Sequence, residues 1–265
     1  MERVMERFFQ VTSKIPYLLV FLTDREIGRP YGIGIVGKLR LVAAFYRNTQ
    51  RVETLSSVVE HLELAAALLR LPPTVEGVVV ECGCYRGGSS VNLSLVCGLV
   101  RRRLVICDSF EGLPKPAEYD ESHPVPHRDG TEDYHEGQFA ASLELVHDNL
   151  RRYGRPDVCD FVVGFFDRSL ADWDRPLVLA FLDVDLIDSL RPCLTAFWPQ
   201  LDPAGRLYVH EAGDLDLVAT FFEADWWQRE LGIPAPGFIG AGTGLPLMPV
   251  VGSELGYARK AAVGG

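Results

Sequence analysis

The segment VVVECGCYRGGSS, residues 78–90, is the stretch on which the predicted fold depends. Its three leading valines are typical of a buried strand. The glycines that then interrupt the apolar run are Gly83, Gly87 and Gly88. Either Ser89 or Ser90 is suited to cap a helix that continues to Val100. A strand, a glycine loop and a helix therefore follow one another, and such a loop lets a ligand approach the backbone and the free N–H groups of the helix N-terminus.

The spacing of these glycines differs from that of two common phosphate-binding motifs. A dinucleotide fingerprint requires G-x-G-x-x-G and a phosphate loop requires G-x-x-x-x-G-K-[ST], whereas Glu81 to Ser89 has the sequence ECGCYRGGS. Glu81 stands at the end of the predicted strand, where a carboxylate would repel a pyrophosphate but would accept a hydrogen bond from an ammonium group. Taken alone, the loop is equally compatible with a structural turn.

A second apolar strand in LVICDSFEGLP, residues 104–114, ends at Asp108. In doubly wound sheets an acidic residue at this place accepts hydrogen bonds from ribose hydroxyls. The two strand ends together therefore predict a ligand that contains a ribose.

The order ECGCYRGGSS followed by DSFEGLPKP resembles the class I S-adenosylmethionine (SAM) dependent methyltransferases, and specifically the macrocin O-methyltransferase family of sugar-modifying enzymes. The resemblance extends through FLDVDLIDSL and PAGRLYVHEAGD and covers residues 52–227. It implies an α/β fold with a doubly wound, mostly parallel, Rossmann-like sheet and SAM as the cofactor. We expect residues 51–265 to form this methyltransferase domain, preceded by a helical N-terminal extension over residues 1–50.

The resemblance also implies which residues contact the cofactor. Glu81 and Gly83 would meet the methionine part of SAM, and Asp108 with Ser109 would meet the ribose. The end of a later strand would lie near the adenine, where Phe165 or Phe166 offers an apolar face or belongs to the core. The residues expected to bind the cofactor are Glu81, Gly83, Tyr85, Gly87, Ser89, Asp108, Ser109, Gly164, Phe166 and Asp183.

The segment LVLAFLDVDLIDSL, residues 177–190, predicts the chemical centre. Its apolar run predicts a strand over residues 177–182, and Asp183 and Asp185 emerge where that strand ends. Open α/β sheets bind ligands at the carboxyl ends of their strands. Two carboxylates there cost desolvation free energy unless a cation, a donor or the reacting group pairs with them. A structural alternative is that Asp185 caps the following helix.

The next strand, predicted over residues 206–209 after a turn at DPAG, ends in His210 and Glu211. Asp183, His210 and Glu211 would then converge as a ligand set for a divalent ion such as Mg²⁺ or Mn²⁺. The resembling family has two adjacent aspartates where this chain has His210 and Glu211. The imidazole shifts the preference away from Mg²⁺, or His210 serves as the base. By the same resemblance, Asp185 matches the second aspartate of the D-x-D motif, the proposed general base.

Composition limits the classes of partner. The net charge of −10 and the pI near 5.1 argue against nucleic acid. Arg101–Arg103 is the one tight basic run and is expected to be a solvated helix end. Six cysteines without zinc-type spacing indicate free thiols in a reducing compartment. No signal peptide or membrane span is evident, so we expect a cytoplasmic protein, and the resemblance implies a homodimer.

Two segments are less regular. Tyr31–Lys38 in the N-terminal region is expected to be a glycine-broken loop. The resemblance implies that this segment is a lid over the substrate, and a packing arm is the alternative. Residues 113–138 predict a long loop whose histidines are either exposed or in contact with substrate. Those histidines are His123, His127 and His135.

The leading hypothesis is a metal-assisted SAM-dependent O-methyltransferase that acts on a sugar or on a glycosylated small molecule. An NAD(P)-dependent oxidoreductase on a similar sheet is the alternative, disfavoured by the glycine spacing and by the lack of a Tyr-x-x-x-Lys pair. A third hypothesis is a SAM-binding interaction protein that does not catalyse. Retained carboxylates at Asp183 and Asp185 count against it.

Overall fold

The computed structural model describes residues 14–117, 126–127, 130–131, 134–247 and 253–261. Its strands are β1 (Val78–Cys82), β2 (Leu104–Asp108), β3 (Pro126–His127), β4 (Gly130–Thr131), β5 (Cys159–Val163), β6 (Leu177–Leu182), β7 (Leu201–Val209) and β8 (Gly256–Ala258). Strands β3 and β4 form a small antiparallel pair, and the other six form one sheet in the order β5-β2-β1-β6-β7-β8. Only β8 runs antiparallel in that sheet. The predicted doubly wound, mostly parallel fold is confirmed.

Helices cover both faces of the sheet. They are α1 (Ile15–Thr23), α2 (Ile35–Thr49), α3 (Val58–Arg70), α4 (Gly88–Val100), α5 (Leu143–Tyr153), α6 (Phe166–Ser169), α7 (Ile187–Gln200), α8 (Leu215–Ala219) and α9 (Ala224–Leu231). The core on one face joins the sheet to α3 and α4 through side chains such as Leu62 and Val91. The core on the other face joins it to α7 and α9 through Phe197 and Trp227. Because both faces are covered, every residue of β6 is buried and the strand is apolar throughout.

The strand order creates a crevice between β1 and β6. From β1 the chain moves outward through β2 to β5, and it then returns to the other side of β1 to form β6 and β7. The crossover connections on the two sides therefore diverge at the carboxyl ends of β1 and β6, and ligands of open α/β sheets bind at such a switch point.

The N-terminal helices α1 and α2 pack against α3. The backbone N–H of Gly28 donates to the carbonyl of Leu69 at 3.1 Å, and the ammonium group of Lys38 donates to the carbonyl of Leu22 at 3.3 Å. Tyr31 lies beside Val75 and Gly77, next to the amino end of β1. Tyr31 therefore lies at the amino end of β1, whereas the crevice lies at its carboxyl end, and closure of Tyr31–Lys38 over the substrate stays a prediction. The segment is not all loop, because α2 begins at Ile35.

Several predicted boundaries differ from the observed ones. Apolar residues that recur at three- and four-residue steps from Thr54 to Leu71 predict a helix over this range. The helix, α3, begins only at Val58, because Ser57 caps it, and Leu55 is 54% exposed despite its apolar side chain. Helix α4 begins at Gly88 after a left-handed Gly87, so neither Ser89 nor Ser90 is its N-cap. The sequence of residues 157–163 predicts a strand, and this strand, β5, starts at Cys159 after a short 3-10 turn.

The predicted turn at DPAG lies inside a strand. Leu177 pairs with Leu201 and Leu179 pairs with Arg206, so the residues between them form a bulge in β7. The backbone N–H of Ala204 donates to the side chain of Asp202 at 2.7 Å within this bulge. Residues 202–205 do interrupt the regular pairing, but the residues on both sides of them belong to the same strand.

Arg102 corrects the prediction of a solvated basic run. It is 8% exposed, and its guanidinium group donates to the carbonyl oxygens of Val75 at 2.6 Å and Gly77 at 3.1 Å. The side chain therefore joins the end of α4 to the segment before β1. The six cysteines are free thiols, five of them buried and Cys159 half-buried. Among the described helices, none combines the length and apolarity that a membrane crossing requires.

Candidate active site

A cavity that opens to solvent lies at the carboxyl ends of β1, β2 and β6. The predicted site residues that line it are Gly83, Tyr85, Ser89, Asp108, Ser109, Phe166, Asp183 and Asp185. Its wall also contains residues that the sequence did not single out, among them Thr54, Leu55, Leu113, Gln138 and Phe139. Gly87, Gly164 and Glu81 are not part of this wall.

Gly83 brings the glycine loop against the end of β6. Its φ is 78°, and a Cβ atom there would overlap the backbone carbonyl oxygen of Asp183. The N–H of Asp183 donates to the carbonyl of Cys82 at 2.9 Å, and the N–H of Gly83 donates to that of Cys107 at 3.1 Å. Only glycine fits this crossing of two chain segments, because it has neither the Cβ nor the penalty for positive φ.

Asp108 fixes two loops at the cavity wall. One carboxylate oxygen accepts from the backbone N–H of Cys84 and the other from that of Phe110, both at 2.7 Å. The neighbouring Ser109 hydroxyl donates to the carbonyl of Gly112 at 2.8 Å. Each carboxylate oxygen of Asp108 keeps a lone pair for a further donor. The residue is thus both a structural link and a potential ligand contact.

Glu81 lies beneath the glycine loop. It has no exposed surface, and the hydroxyls of Ser89 and Ser90 lie near its carboxylate without forming a hydrogen bond of good geometry. Burial raises the pKa of Glu81 to about 7, although the hydroxyls of Ser89 and Ser90 oppose that shift. The structure therefore does not bring Glu81 to the cavity surface, where the sequence analysis expected it to meet an ammonium group.

Asp183, which lines the cavity, comes together with His210 and Glu211, which do not line it. One ligand atom from each lies within 4.8 Å of the others, and Nδ1 of His210 is 3.4 Å from Oδ1 of Asp183. Glu211 Oε2 is buried and has no hydrogen-bond partner in the described structure. Burial and the charges of Asp183 and Asp185 raise the pKa of Glu211 well above its usual range. A divalent cation would relieve this crowding of carboxylates, so the donor set fits a metal ion of the kind the sequence predicts.

His210 is held between carboxylates on two sides. Burial alone would lower its pKa, but the carboxylates of Asp183 and Glu60 raise it well above the usual value. The ring is 6% exposed, and it does not line the cavity. His210 is therefore placed better for binding a cation or for charge balance than for direct contact with a substrate hydroxyl.

Asp185 has an unusual backbone and a precise set of contacts. Its φ is 61°, a left-handed conformation that non-glycine residues rarely adopt away from functional sites. Its Oδ1 accepts from the hydroxyl of Tyr134 at 3.0 Å, and its backbone N–H donates to Glu211 at 3.3 Å. Burial and the charge of Asp183 raise the pKa of Asp185 to about 7. The alternative that Asp185 caps α7 is wrong, because the N-cap residue is Leu186 and no side chain caps that helix.

Tyr134 and Glu60 are the site residues that the sequence analysis missed. Tyr134 lies in a stretch with no helical or strand period, where nothing in the sequence marks it. Glu60 forms a capping box with Ser57, a signal that the S-x-x-E spacing carries, but its place beside His210 depends on the fold. Of the loop histidines, His135 is exposed, whereas His123 and the side chain of His127 are outside the described residues.

Comparison with known proteins agrees with this architecture. Among solved structures, the O-methyltransferase NovP superposes with a TM-score of 0.59 at 20% identity, over 78% of this chain and 81% of that one. The calicheamicin methyltransferase CalS11 superposes with a TM-score of 0.51 at 17% identity, over 95% and 93% of the two chains. At these identities the comparison establishes the fold alone.

Sequence comparison gives a more specific relationship. The chain is 36% identical over 143 residues to the 8-demethyl-8-(2,3-dimethoxy-alpha-L-rhamnosyl)-tetracenomycin-C 4′-O-methyltransferase of Streptomyces olivaceus. That alignment covers 52% of this chain and 53% of the relative, so the match spans about half of the relative's length. Residues 49–236 match the model of the macrocin-O-methyltransferase family, TylF. The chain therefore belongs to the TylF macrocin-O-methyltransferase family.

Proposed function

We propose that this protein is a SAM-dependent O-methyltransferase that methylates a hydroxyl of a sugar or of a glycosylated small molecule with the help of a divalent metal ion. The observation that carries the proposal is the convergence on one cavity of Gly83, Asp108 and Asp185, with the cluster around Asp183 directly behind. Gly83 and Asp108 suit a nucleoside cofactor, and Asp185 suits proton transfer from a hydroxyl.

The glycine loop and the end of β2 would hold the cofactor. Gly83 presents its backbone to the cavity at the switch point, and Asp108 has lone pairs available for the ribose hydroxyls. Phe165 and Phe166 line the cavity and offer apolar surface to the adenine. When bound, SAM supplies a methyl group on a positively charged sulfur and leaves as a neutral thioether.

Asp185 is the proposed general base. It lines the cavity, and Tyr134 occupies its Oδ1, so Oδ2 is available to accept the proton of the acceptor hydroxyl. As that proton moves to Asp185, the hydroxyl oxygen becomes the nucleophile that forms the new bond to the methyl carbon. No covalent bond between enzyme and substrate is required.

Asp183, His210 and Glu211 are the proposed metal ligands. A divalent ion in this position would lower the pKa of an acceptor hydroxyl that it contacts. One imidazole and two carboxylates favour Mn²⁺ over Mg²⁺, since nitrogen ligands suit the transition metals better. Glu211 also fixes the backbone of Asp185, so the cluster and the proposed base are directly connected.

A sugar is the proposed acceptor. The Streptomyces olivaceus relative is named for methylation at the 4′ position of a rhamnosyl group, and this supports a deoxysugar or its glycoside. Tyr85 and Phe139 line the cavity with ring centroids 6.0 Å apart in an edge-to-face pair. Such rings suit the apolar face of a sugar. The acidic net charge of −10 argues against a nucleic acid partner.

A homodimer is the proposed assembly. Helices α1 and α2 expose large aliphatic side chains, namely Ile15, Leu19, Val20, Ile35, Val36 and Leu39. A surface of this kind is suited to bury itself against a second copy. Sedimentation equilibrium should give twice the chain mass of 29.4 kDa, and the double substitution Leu19→Glu and Val36→Glu should give the monomer.

Calorimetry is the experiment that tests the proposal first. SAM and NADH are titrated separately into the protein, each with and without Mg²⁺ or Mn²⁺. Micromolar binding of SAM without binding of NADH is the expected result, and NADH binding alone would favour the oxidoreductase. Rhamnosyl and other deoxysugar glycosides are then screened by mass spectrometry for the gain of one methyl group. Absence of SAM binding under every condition would reject the methyltransferase assignment.

A further inference from the structure

The two nitrogens of the His210 ring point towards carboxylates from different parts of the chain. Nδ1 is 3.4 Å from Oδ1 of Asp183, and Nε2 is 3.6 Å from Oε2 of Glu60. We propose that Glu60 is a positioning residue, which holds the His210 ring so that Nδ1 faces the metal ion. This inference rests on the proposed metal site and assigns a function to a helix that is outside the cavity wall.

Glu60 is itself held rigidly. It is the third residue of α3 and forms the capping box with Ser57, whose backbone N–H donates to Oε2 at 2.7 Å. Its other oxygen, Oε1, accepts from the backbone N–H of Glu254 at 2.9 Å. The residue is 4% exposed. Because both oxygens are fixed by backbone donors, the carboxylate has little freedom to turn away from His210.

An imidazole ligand needs such a partner in a way that a carboxylate ligand does not. When one ring nitrogen binds a metal, the other carries a proton, and its acceptor determines the tautomer and the ring orientation. Nε2 of His210 is buried and has no hydrogen-bond partner in the described chain, so the nearby carboxylates are the available acceptors. A buried N–H without any acceptor would cost free energy.

Glu254 is the other carboxylate near Nε2, and it is the weaker candidate. Its Oε2 is 3.8 Å from Nε2, and its side chain is 57% exposed, so water competes for it. Glu60 is closer, buried and anchored. The geometry thus favours Glu60 as the acceptor that selects the Nε2–H tautomer and leaves the lone pair of Nδ1 directed at the cluster.

The test is binding of Mn²⁺ to the metal-free protein, followed by electron paramagnetic resonance. Glu60→Gln should weaken the affinity for Mn²⁺ by roughly 10- to 100-fold, the usual effect of losing an outer carboxylate partner. Pulsed measurements should also show that the nitrogen coupling of bound Mn²⁺, present in the wild type, is lost or altered in Glu60→Gln. Neither readout requires knowledge of the acceptor.

Two variants serve as matched controls. Ser57→Ala weakens the same helix cap but leaves the Glu60 carboxylate in place, and Glu254→Gln removes only the exposed neighbour. Both should bind Mn²⁺ within about twofold of the wild type with unchanged nitrogen coupling. Equal affinity and coupling in Glu60→Gln would overturn the role of Glu60 while leaving the metal site intact. A wild type that does not bind Mn²⁺ would instead overturn the metal site on which the inference rests.

Discussion

The hydroxyl of Tyr134 donates a hydrogen bond of 3.0 Å to Oδ1 of Asp185. Tyr134 lies near the C-terminal end of the loop predicted over residues 113–138. The N–H of Leu113 donates a hydrogen bond to the carbonyl of Gln138, so the two ends of this loop are held together close to Tyr134. This contact orients the Asp185 carboxylate, which already has a strained backbone, without occupying the oxygen that would accept the proton.

Tyr134→Phe is expected to slow catalysis more than it weakens binding. Loss of a hydrogen bond to a charged group costs about 1.5 to 3 kcal/mol, so kcat should fall by roughly 10- to 100-fold. The dissociation constant of SAM should stay within about twofold, because Tyr134 is not in the cavity wall. Steady-state kinetics and calorimetry measure the two effects.

The double variant with Asp185→Asn provides the control. Asp185→Asn alone should reduce turnover to a small residual rate and leave SAM binding nearly intact, since the amide no longer accepts the proton. If Tyr134 acts through Asp185, adding Tyr134→Phe should cause no further loss in residual rate. An additional tenfold loss in that background would mean that Tyr134 acts independently of Asp185.

Asp108→Ala is expected to weaken SAM binding. The substitution removes the acceptor of the N–H groups of Cys84 and Phe110 and also the proposed ribose contact. We expect a loss of about 1 to 3 kcal/mol in binding free energy. Asp108→Asn keeps one acceptor oxygen and should show a smaller loss. Unchanged affinity in Asp108→Ala, measured by calorimetry, would assign the ribose to another part of the cavity.

Gly83→Ala is expected to disrupt the site and destabilise the fold. The added Cβ would overlap the carbonyl of Asp183, and the φ of 78° is unfavourable for alanine. We expect the free energy of unfolding to fall by about 3 kcal/mol or more and SAM binding to be lost. Gly213→Ala is the matched control, because no atom lies within 4 Å of its Cβ position. A Gly83→Ala protein with wild-type stability and affinity would contradict the proposed close crossing.

The sequence predicted those parts of the fold that local patterning determines. Strand β6 was predicted correctly because both of its faces are buried, which makes the run from Leu177 to Leu182 apolar without interruption. Because the strands of such a sheet are parallel, the two aspartates that follow β6 were expected at the edge of the sheet where ligands bind. The start of α3 was placed too early, because exposed Leu55 satisfies the apolar period although the Ser57–Glu60 capping box marks the true start.

The contacts that complete the site could not be predicted, because they join distant segments. Glu60 and His210 are 150 positions apart, and only the packing of α3 against the sheet brings them together. Tyr134 lies in a segment whose composition indicates a loop and carries no period to orient a side chain. The strand pattern predicts that the proposed metal ligands and the proposed base lie near one another. It does not identify Glu60 and Tyr134, which contact them.

His61, on α3, is fully buried in a polar network. Its Nε2 lies 2.7 Å from the hydroxyl of Ser56, and its Nδ1 lies 2.9 Å from the amide nitrogen of Asn92, whose oxygen accepts from Asn48. The amide of Asn92 thus donates to Nδ1, so a proton on Nδ1 would face another donor. Burial lowers the pKa of His61 from 6.5 to about 4, with a smaller contribution from the charge of His210 and opposition from Glu60 and Asp183.

Because the pKa of His61 is lower in the folded state than in the unfolded state, the neutral form stabilises the fold above pH 6.5, and that stability is lost as the pH falls towards 4. Between pH 7.5 and pH 5.0 the loss from this group should be about 2 kcal/mol. Urea denaturation of the wild type and of His61→Gln at both values measures it. Other groups titrate equally in both proteins, so the wild type should lose about 2 kcal/mol more than the variant. An equal loss in the two proteins would mean that His61 has the same pKa in the folded and the unfolded state. The buried network would then have to accommodate the protonated ring.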